Sequence, residues 1–165
     1  MITMVTGVDQ PHIQDRLRRE ILADVQFERV LTAFRKGYLE GKTKEHIPYM
    51  VSLACQCFNN EYIYAVSEEE QRAVLCLKER LASVRDLIVY AMYEPLMTVR
   101  DDVFRLGLDR DSGAQEIFRR QICEPMEEEE IKQSIPSFGV SADPVSRAVR
   151  EQYEESPYPR WVDIE

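Results

Sequence analysis

The sequence predicts an all-α protein, an irregular multi-helix bundle or helix-hairpin stack of about seven to nine helices with no sheet. Three observations predict this class. Apolar residues recur at spacings of three and four along most of the chain, capping signals precede several of these runs, and no stretch of five or more residues alternates convincingly between apolar and polar. With 165 residues and 44% hydrophobic content, the chain is long enough to bury its own core.

The apolar periodicity places the helices in order along the chain. The four clearest helix faces are Ile13 to Ile21, Phe27 to Tyr38, Ile47 to Phe58 and Val74 to Leu81. Weaker faces follow at Leu87 to Met92, Val103 to Leu106, Ile117 to Ile122 and Val145 to Tyr153. This succession predicts a single helical domain over residues 1–155, followed by an extended strap or linker over residues 156–165.

Capping and breaking residues agree with these boundaries. Ser67 and Glu70 form a capping box, in which each side chain accepts a hydrogen bond from the backbone of the other residue, so a helix is expected to begin there. Prolines suited to a first helical turn and glycines suited to a helix end complete the pattern: Pro11, Pro125, Pro144, Gly41, Gly107 and Gly139.

Charge and hydropathy exclude several classes of partner. The chain carries 30 acidic and 21 basic residues, a net charge of −9, which repels nucleic acid and anionic membrane surfaces at long range. Met1 to Asp9 lacks the basic region of an export signal, and the longest purely apolar run, Leu87 to Met92, is too short to span a bilayer. We therefore expect a cytoplasmic protein with neither nucleic acid nor membrane as its partner.

The usual signatures of catalysis and of metal or cofactor binding are missing from the sequence. The two histidines have no ligand partner at a suitable spacing, and the six glycines are isolated, whereas a phosphate-binding loop needs several close together. The four cysteines (Cys55, Cys57, Cys76 and Cys123) are expected to be reduced, packed thiols. Asp109 to Gly113 fails as a calcium loop and is expected to form a turn and helix cap. We predict no catalytic, cofactor or metal site in this chain.

Two segments resemble a known family. Gln152 to Trp161, QYEESPYPRW, resembles the QYEENPYPRW signature of bacterial proteins in which a helical region, often with tetratricopeptide repeats, precedes a class I S-adenosylmethionine-dependent methyltransferase domain. Gln56 to Tyr62, QCFNNEY, resembles that family's QCFxNEY segment. The resemblance covers about Phe27 to Trp161, with Ser156 in place of the usual asparagine. It implies a module that lies in front of the enzyme, with S-adenosylmethionine bound only in a following domain.

Two groups of residues are candidates for an interaction surface. In the C-terminal strap, prolines enforce an extended backbone, and Tyr158, Arg160 and Trp161 are of the types that dominate binding hot spots. Tyr153, in the predicted helix before the strap, is a further candidate. These aromatic residues either contact a partner or pack back on their own domain as a latch. The second group is Asn60, Glu61 and Tyr62, interpreted either as a helix C-cap and turn or as the lip of a binding surface.

Three hypotheses for function follow. The first, favoured by the resemblance, is a non-catalytic helical accessory module whose partner is a methyltransferase domain in cis or in trans. The second is an independent protein-interaction domain that binds another protein or forms a homodimer. The third is a small helical enzyme whose site is assembled in space from distant residues.

Overall fold

The computed structural model describes residues 10–22 and 24–135, together with positions 145, 149 and 152. Regular structure in these residues is entirely helical and includes no strand, which confirms the predicted all-α class. The chain divides into two compact units, Met1–Pro125 and Met126–Glu165. In the second unit, the described residues are 126–135, at the end of a helix, and the exposed helical positions Val145, Val149 and Gln152.

The helices follow one another with short connections. They are α1 (Pro11–Arg19), α2 (Val25–Leu39), α3 (Ile47–Asn59), α4 (Glu68–Glu79), α5 (Val84–Tyr90), α6 (Arg100–Leu106), α7 (Gln115–Phe118) and α8 (Glu124–Ser134). Short 3₁₀ turns occur at Leu96–Val99 and Leu108–Arg110, and a π-helical turn at Arg119–Cys123 joins α7 to α8. The predicted boundary between residues 155 and 156 lies outside the described residues and stays a prediction.

Helix α3 is the centre of the first unit. Its sequence, IPYMVSLACQCFN, is apolar around most of the helix, and ten of its residues are buried. A helix that is apolar on all sides needs partners on all sides. Accordingly, α3 packs against α1, α5 and α7. The polar residues that α3 does carry therefore lie in the interior, where each needs a hydrogen-bond partner.

The structure confirms the helix boundaries predicted at Ser67, Pro11, Gly41 and Gly107, whereas Pro125 lies within a helix that continues from the π-helical turn. Ser67 Oγ accepts from Glu70 N at 3.2 Å, and Glu70 Oε2 accepts from Ser67 N at 3.1 Å, so the capping box begins α4 as predicted. Pro11 opens α1, and Gly41 and Gly107 end α2 and α6 with positive φ angles. Pro144 and Gly139 lie outside the described residues.

Some residues predicted to be buried are exposed. Ile21 was expected on the apolar face of the first helix, but α1 ends at Arg19 and Ile21 is 53% exposed in the connection that follows. Val30 is also exposed, because the buried face of α2 follows Leu31 and Tyr38 instead. The prediction that every cysteine is packed is wrong for Cys76, which lies on the solvent side of α4.

Candidate functional site

The turn that follows α3, residues 60–63, is unusual in its backbone conformation; we call it the α3 turn. The helix ends in a Schellman motif, in which Glu61 N donates to Phe58 O at 3.0 Å and Tyr62 N donates to Cys57 O at 2.9 Å. The left-handed position of this motif normally carries glycine, and α2 ends in the same motif with Gly41 there at φ 68°. In α3 that position carries Glu61, at φ 57°.

The next residue is left-handed as well. Tyr62 has φ 59°, so two consecutive residues with side chains adopt a backbone that costs about 1–2 kcal/mol for each. Such strain persists only where the surrounding structure enforces it, and it is often found at functional sites. The C-cap and turn geometry predicted for Asn60 to Tyr62 is therefore present. Their second predicted role, as the lip of a binding surface, stays a prediction.

A tertiary hydrogen bond holds the α3 turn in place. Tyr62 Oη donates to Gln121 Oε1 at 3.3 Å, across 59 residues of sequence, and the same oxygen accepts from Leu96 N at 3.1 Å. Gln121 is 1% exposed and lies in the π-helical turn. A π turn inserts one extra residue into a helix and so changes the direction of the side chains around it; such turns are frequent at functional sites. This hydrogen bond therefore joins the left-handed α3 turn to the π-helical turn.

Two further unfavourable features occur at the same turn. The side chain of Asn60 is buried, yet within the described part of the chain its amide makes no hydrogen bond of ordinary geometry. It lies beside the hydroxyl of Tyr64, whose pKa burial raises. A buried amide that lacks a well-formed hydrogen bond costs up to about 1–3 kcal/mol. Ile63, three residues further on, is 78% exposed.

The buried amide of Gln56 connects the α3 turn to the end of α1. Its Nε2 donates to Glu20 O at 2.7 Å and to Leu17 O at 3.0 Å, which satisfies the last carbonyls of α1. Its Oε1 accepts from Leu22 N at 3.1 Å, and the same atom lies 3.4 Å from the hydroxyl of Tyr64. The connection after α1 and the residues after α3 therefore both contact the side chain of Gln56.

A second set of polar contacts holds α1 against α3 and the π-helical turn. Asn59 Nδ2 donates to Arg18 O at 2.9 Å, and Arg120 Nη1 donates to Asn59 Oδ1 at 3.2 Å. Arg18 Nε in turn donates to Ser52 Oγ at 2.9 Å. Cys55 lies near these arginines, but burial outweighs their charge and raises its pKa to about 12. The Cys55 thiol is therefore protonated at neutral pH and is a poor nucleophile.

Arg35 is fully buried, although the helical periodicity did not predict it in the core. Its Nη2 donates to Ala65 O at 2.7 Å and lies 3.9 Å from Glu70 Oε1, and the guanidinium stacks 4.4 Å from the ring centre of Tyr93. Tyr93 Oη donates to Glu70 Oε1 at 3.0 Å. Burial raises the pKa of Glu70, but hydrogen bonds from Ser67 and Tyr93 and the charge of Arg35 outweigh it, so the pKa is lowered overall. Glu70 thus caps α4 and neutralises a buried cation.

The remaining polar residues singled out in the sequence have structural partners. His46 caps α3, its Nδ1 accepting from Tyr49 N at 3.3 Å. Asp111 accepts from the backbone N–H groups of Gly113 and Ala114, which is the turn predicted there. The helix cap predicted with it is not formed, because α7 begins after Ala114 without a side-chain cap. None of the four cysteines forms a disulfide bond. Among the described residues, no three His, Cys, Asp or Glu side chains are placed to hold a metal ion.

The four C-terminal interaction candidates, Tyr153, Tyr158, Arg160 and Trp161, lie outside the described residues and stay predictions. Of the helices that are described, none combines the length and hydrophobicity needed to cross a membrane. No family model, curated protein or solved structure matches this chain. Function therefore has to be inferred from the α3 turn and its surroundings.

Proposed function

We propose that this chain is a non-catalytic helical interaction module that serves a methyltransferase, and that the α3 turn is part of its contact surface. The observation that carries the proposal is the coincidence of backbone strain, a buried amide that lacks a well-formed hydrogen bond to any described residue, and an exposed isoleucine within residues 60–63. The two left-handed residues cost about 1–2 kcal/mol each. Leaving Ile63 in water forfeits about 1.5–3 kcal/mol that its burial would contribute.

A turn with only a connecting role could avoid both costs. Glycine in place of Glu61 would remove strain, and a polar residue in place of Ile63 would lose nothing in the free protein. A partner that covers the turn changes this balance, because it buries Ile63 and uses the fixed backbone as a preorganised surface. Because the strained turn is already ordered in the free protein, less conformational entropy is lost when the complex forms.

The methyltransferase part of the proposal rests on the family resemblance. The α3 turn lies within the QCFNNEY segment and its continuation, so the strained residues belong to one of the two stretches that carry the resemblance. The proposed partner is a methyltransferase domain, in cis or in trans, and that domain binds S-adenosylmethionine. The module contributes a contact surface and positions the methyltransferase domain.

Site-specific photo-crosslinking tests the proposal directly. p-Benzoylphenylalanine is placed at Glu61 or, as the matched control, at Leu75, which is 64% exposed on α4. Mass spectrometry of the products from source cells should identify a methyltransferase polypeptide linked from Glu61 and not from Leu75. Equal yields from both positions would contradict the proposal. A partner of another kind, linked only from Glu61, would favour the stand-alone interaction domain instead.

Calorimetric titration of the chain with S-adenosylmethionine addresses catalysis. The proposal expects no binding in the micromolar range, since the methyl donor is assigned to a separate domain. Saturable binding with a dissociation constant of about 1–100 μM would show a donor site within this chain, and the module would then be an enzyme.

A further inference from the structure

We infer that one face of α8 binds a surface of a partner protein in which apolar side chains are bordered by lysine or arginine. This face consists of Ile131 and of Ile135, which directly follows the helix, together with Glu127 and Glu128 one turn before them; we call it the α8 face. All of α8 is described, and none of its residues is buried. Ile131 and Ile135 are 57% and 63% exposed. The inference is independent of the proposed function, which concerns the α3 turn.

The four residues of the α8 face lie on one side of a single helix. At about 100° per residue, they fall within an arc of about 100° around the axis. Ile135 keeps a helical position, because its N–H donates to Ile131 O at 3.2 Å. Residues three and four apart are neighbours on a helix surface, so the two isoleucines adjoin each other and the two carboxylates adjoin Ile131.

The position of the acidic run Glu127–Glu130 in its helix does not explain it. In α4 a similar run, Glu68–Glu70, occupies the first turn, where Ser67 caps the helix and the helix dipole favours carboxylates. Glu127–Glu130 instead lies about three turns into a continuous helix, because the π-helical turn joins α7 to α8. The dipole effect is confined to the first turn. Glu127 and Glu130, three residues apart, therefore repel each other without that compensation.

The negative charge remains when the neighbouring cations are counted. Residues 115–135, from the start of α7, contain six glutamates against three cations, which leaves a net charge of −3. Two of these cations, Arg119 and Arg120, already form salt bridges with Glu116. Residues 136–165 add six acidic against three basic residues, a further −3. Five charges of α8 form no salt bridge with any described residue, namely Glu127, Glu128, Glu129, Glu130 and Lys132.

Charge and exposure together select the occupant of the α8 face. A second copy of the chain has the same net charge of −9 and would bring one acidic run towards another. An anionic membrane surface is repelled for the same reason. A partner surface of apolar side chains bordered by lysine or arginine fits both features, because it covers the isoleucines and neutralises the carboxylates. The repulsion within the acidic run is then relieved in the complex.

The test uses a fluorescein-labelled model peptide of leucine and lysine at helical spacing, and a matched peptide of leucine and glutamate. Fluorescence anisotropy with the full chain should show that the lysine peptide binds, that added salt weakens this binding, and that the glutamate peptide does not bind. Hydrogen exchange should slow in residues 127–135 when the lysine peptide is added, and stay unchanged in α4. Failure of the lysine peptide to bind at concentrations on the order of 100 μM, or slowed exchange in α4 alone, would overturn the inference.

The apolar part of the α8 face is tested by a double variant, Ile131→Ser with Ile135→Ser. It should weaken binding of the lysine peptide about tenfold, because both exposed aliphatic side chains of the face are removed. Leu75→Ser removes a comparably exposed aliphatic side chain, 64% exposed on α4, and should leave the affinity unchanged. These side chains lie largely in water, so none of the changes should lower the melting temperature. Equal losses of affinity from the two helices would contradict a role for the α8 face.

The charged part of the α8 face is tested by Glu127→Gln with Glu128→Gln. Removing both charges should weaken binding of the lysine peptide about tenfold at low salt, and this loss should shrink as salt is added. The matched control, Glu68→Gln with Glu69→Gln, removes the same charge from α4 and should change the affinity less than twofold. Equal losses from the two pairs would show that the peptide responds to the net charge of the chain, which would overturn the inference.

Two further outcomes separate this inference from its alternatives. If sedimentation shows that the chain dimerises and that Ile131→Ser with Ile135→Ser prevents it, the occupant is a second copy and the inference is overturned. Crosslinking from Glu61 tests the proposed function separately, because its result does not depend on α8. A methyltransferase linked from Glu61 without binding of the lysine peptide would leave the proposed function standing and refute this inference.

Discussion

Replacing Glu61 by glycine should stabilise the protein. Glu61 occupies the left-handed position of the Schellman motif at φ 57°, and glycine adopts this backbone without steric cost. The relief of about 1–2 kcal/mol is partly offset by the larger conformational entropy of glycine in the unfolded chain, about 0.4–1 kcal/mol. The net gain is about 0.5–1 kcal/mol in the free energy of unfolding, which corresponds to a rise of about 1–4 °C in melting temperature.

The chain contains its own reciprocal control at the end of α2. Gly41 occupies the same position of the same motif at φ 68°, and no atom lies within 4 Å of the site where a Cβ would be placed. Gly41→Ala therefore introduces backbone strain without a clash. It should lower the free energy of unfolding by about 0.5–1 kcal/mol, the reverse of the Glu61 effect.

Urea unfolding followed by circular dichroism at 222 nm measures both changes, and the slope of free energy against urea should stay constant if the compactness of the two states is unaltered. A gain for Glu61→Gly together with a loss for Gly41→Ala supports strain at the α3 turn. A loss for Glu61→Gly alongside the expected loss for Gly41→Ala would refute it, because Glu61 would then stabilise the fold through its side chain.

Two further predictions concern buried groups. The folded-state pKa of Glu70 is lowered, so its ionised form contributes stability that is present above the unfolded-state pKa and lost as pH falls through the folded-state pKa. Glu70→Gln should therefore lower the free energy of unfolding by about 1–3 kcal/mol at pH 7, as measured by urea unfolding. The difference between the variant and the native protein should shrink towards pH 3. An undiminished difference at low pH would contradict the role of the charge. In the folded protein, iodoacetamide should label exposed Cys76 well before Cys55 and Cys57, whose pKa values burial raises to about 12. Peptide mass spectrometry with and without urea measures this order, and equally fast labelling of all three would contradict it.

Local signals in the sequence predicted much of the fold because the interactions behind them are local. The capping box at Ser67 and Glu70 joins residues three apart, and both of its hydrogen bonds are present. The apolar spacing from Ile47 to Phe58 predicted a helix, and α3 occupies these residues. Ile21 shows the limit of this reasoning, because periodicity continued past the point where α1 ends.

The candidate site was predicted only in outline. The sequence singled out Asn60 to Tyr62 through their polar character after an apolar helix and through the family resemblance, but it gave no sign that Glu61 and Tyr62 are left-handed. Neither residue type favours that backbone. Tyr62 also contacts Gln121, 59 residues away, and no local pattern reveals that contact.

By itself, the sequence determined the helical class, the starts and stops of the clearest helices and the acidic character of the surface, since each depends on neighbouring residues or on composition. Only the tertiary structure decided that Arg35 lies in the core beside Glu70 and that Tyr62 is held by Gln121. It also decided that Ile21 and Ile63 reach the surface beside one buried amide. The physical reason is that burial and strain are set by contacts between residues distant in sequence, and a helical period indicates which residues share a face but not what that face meets.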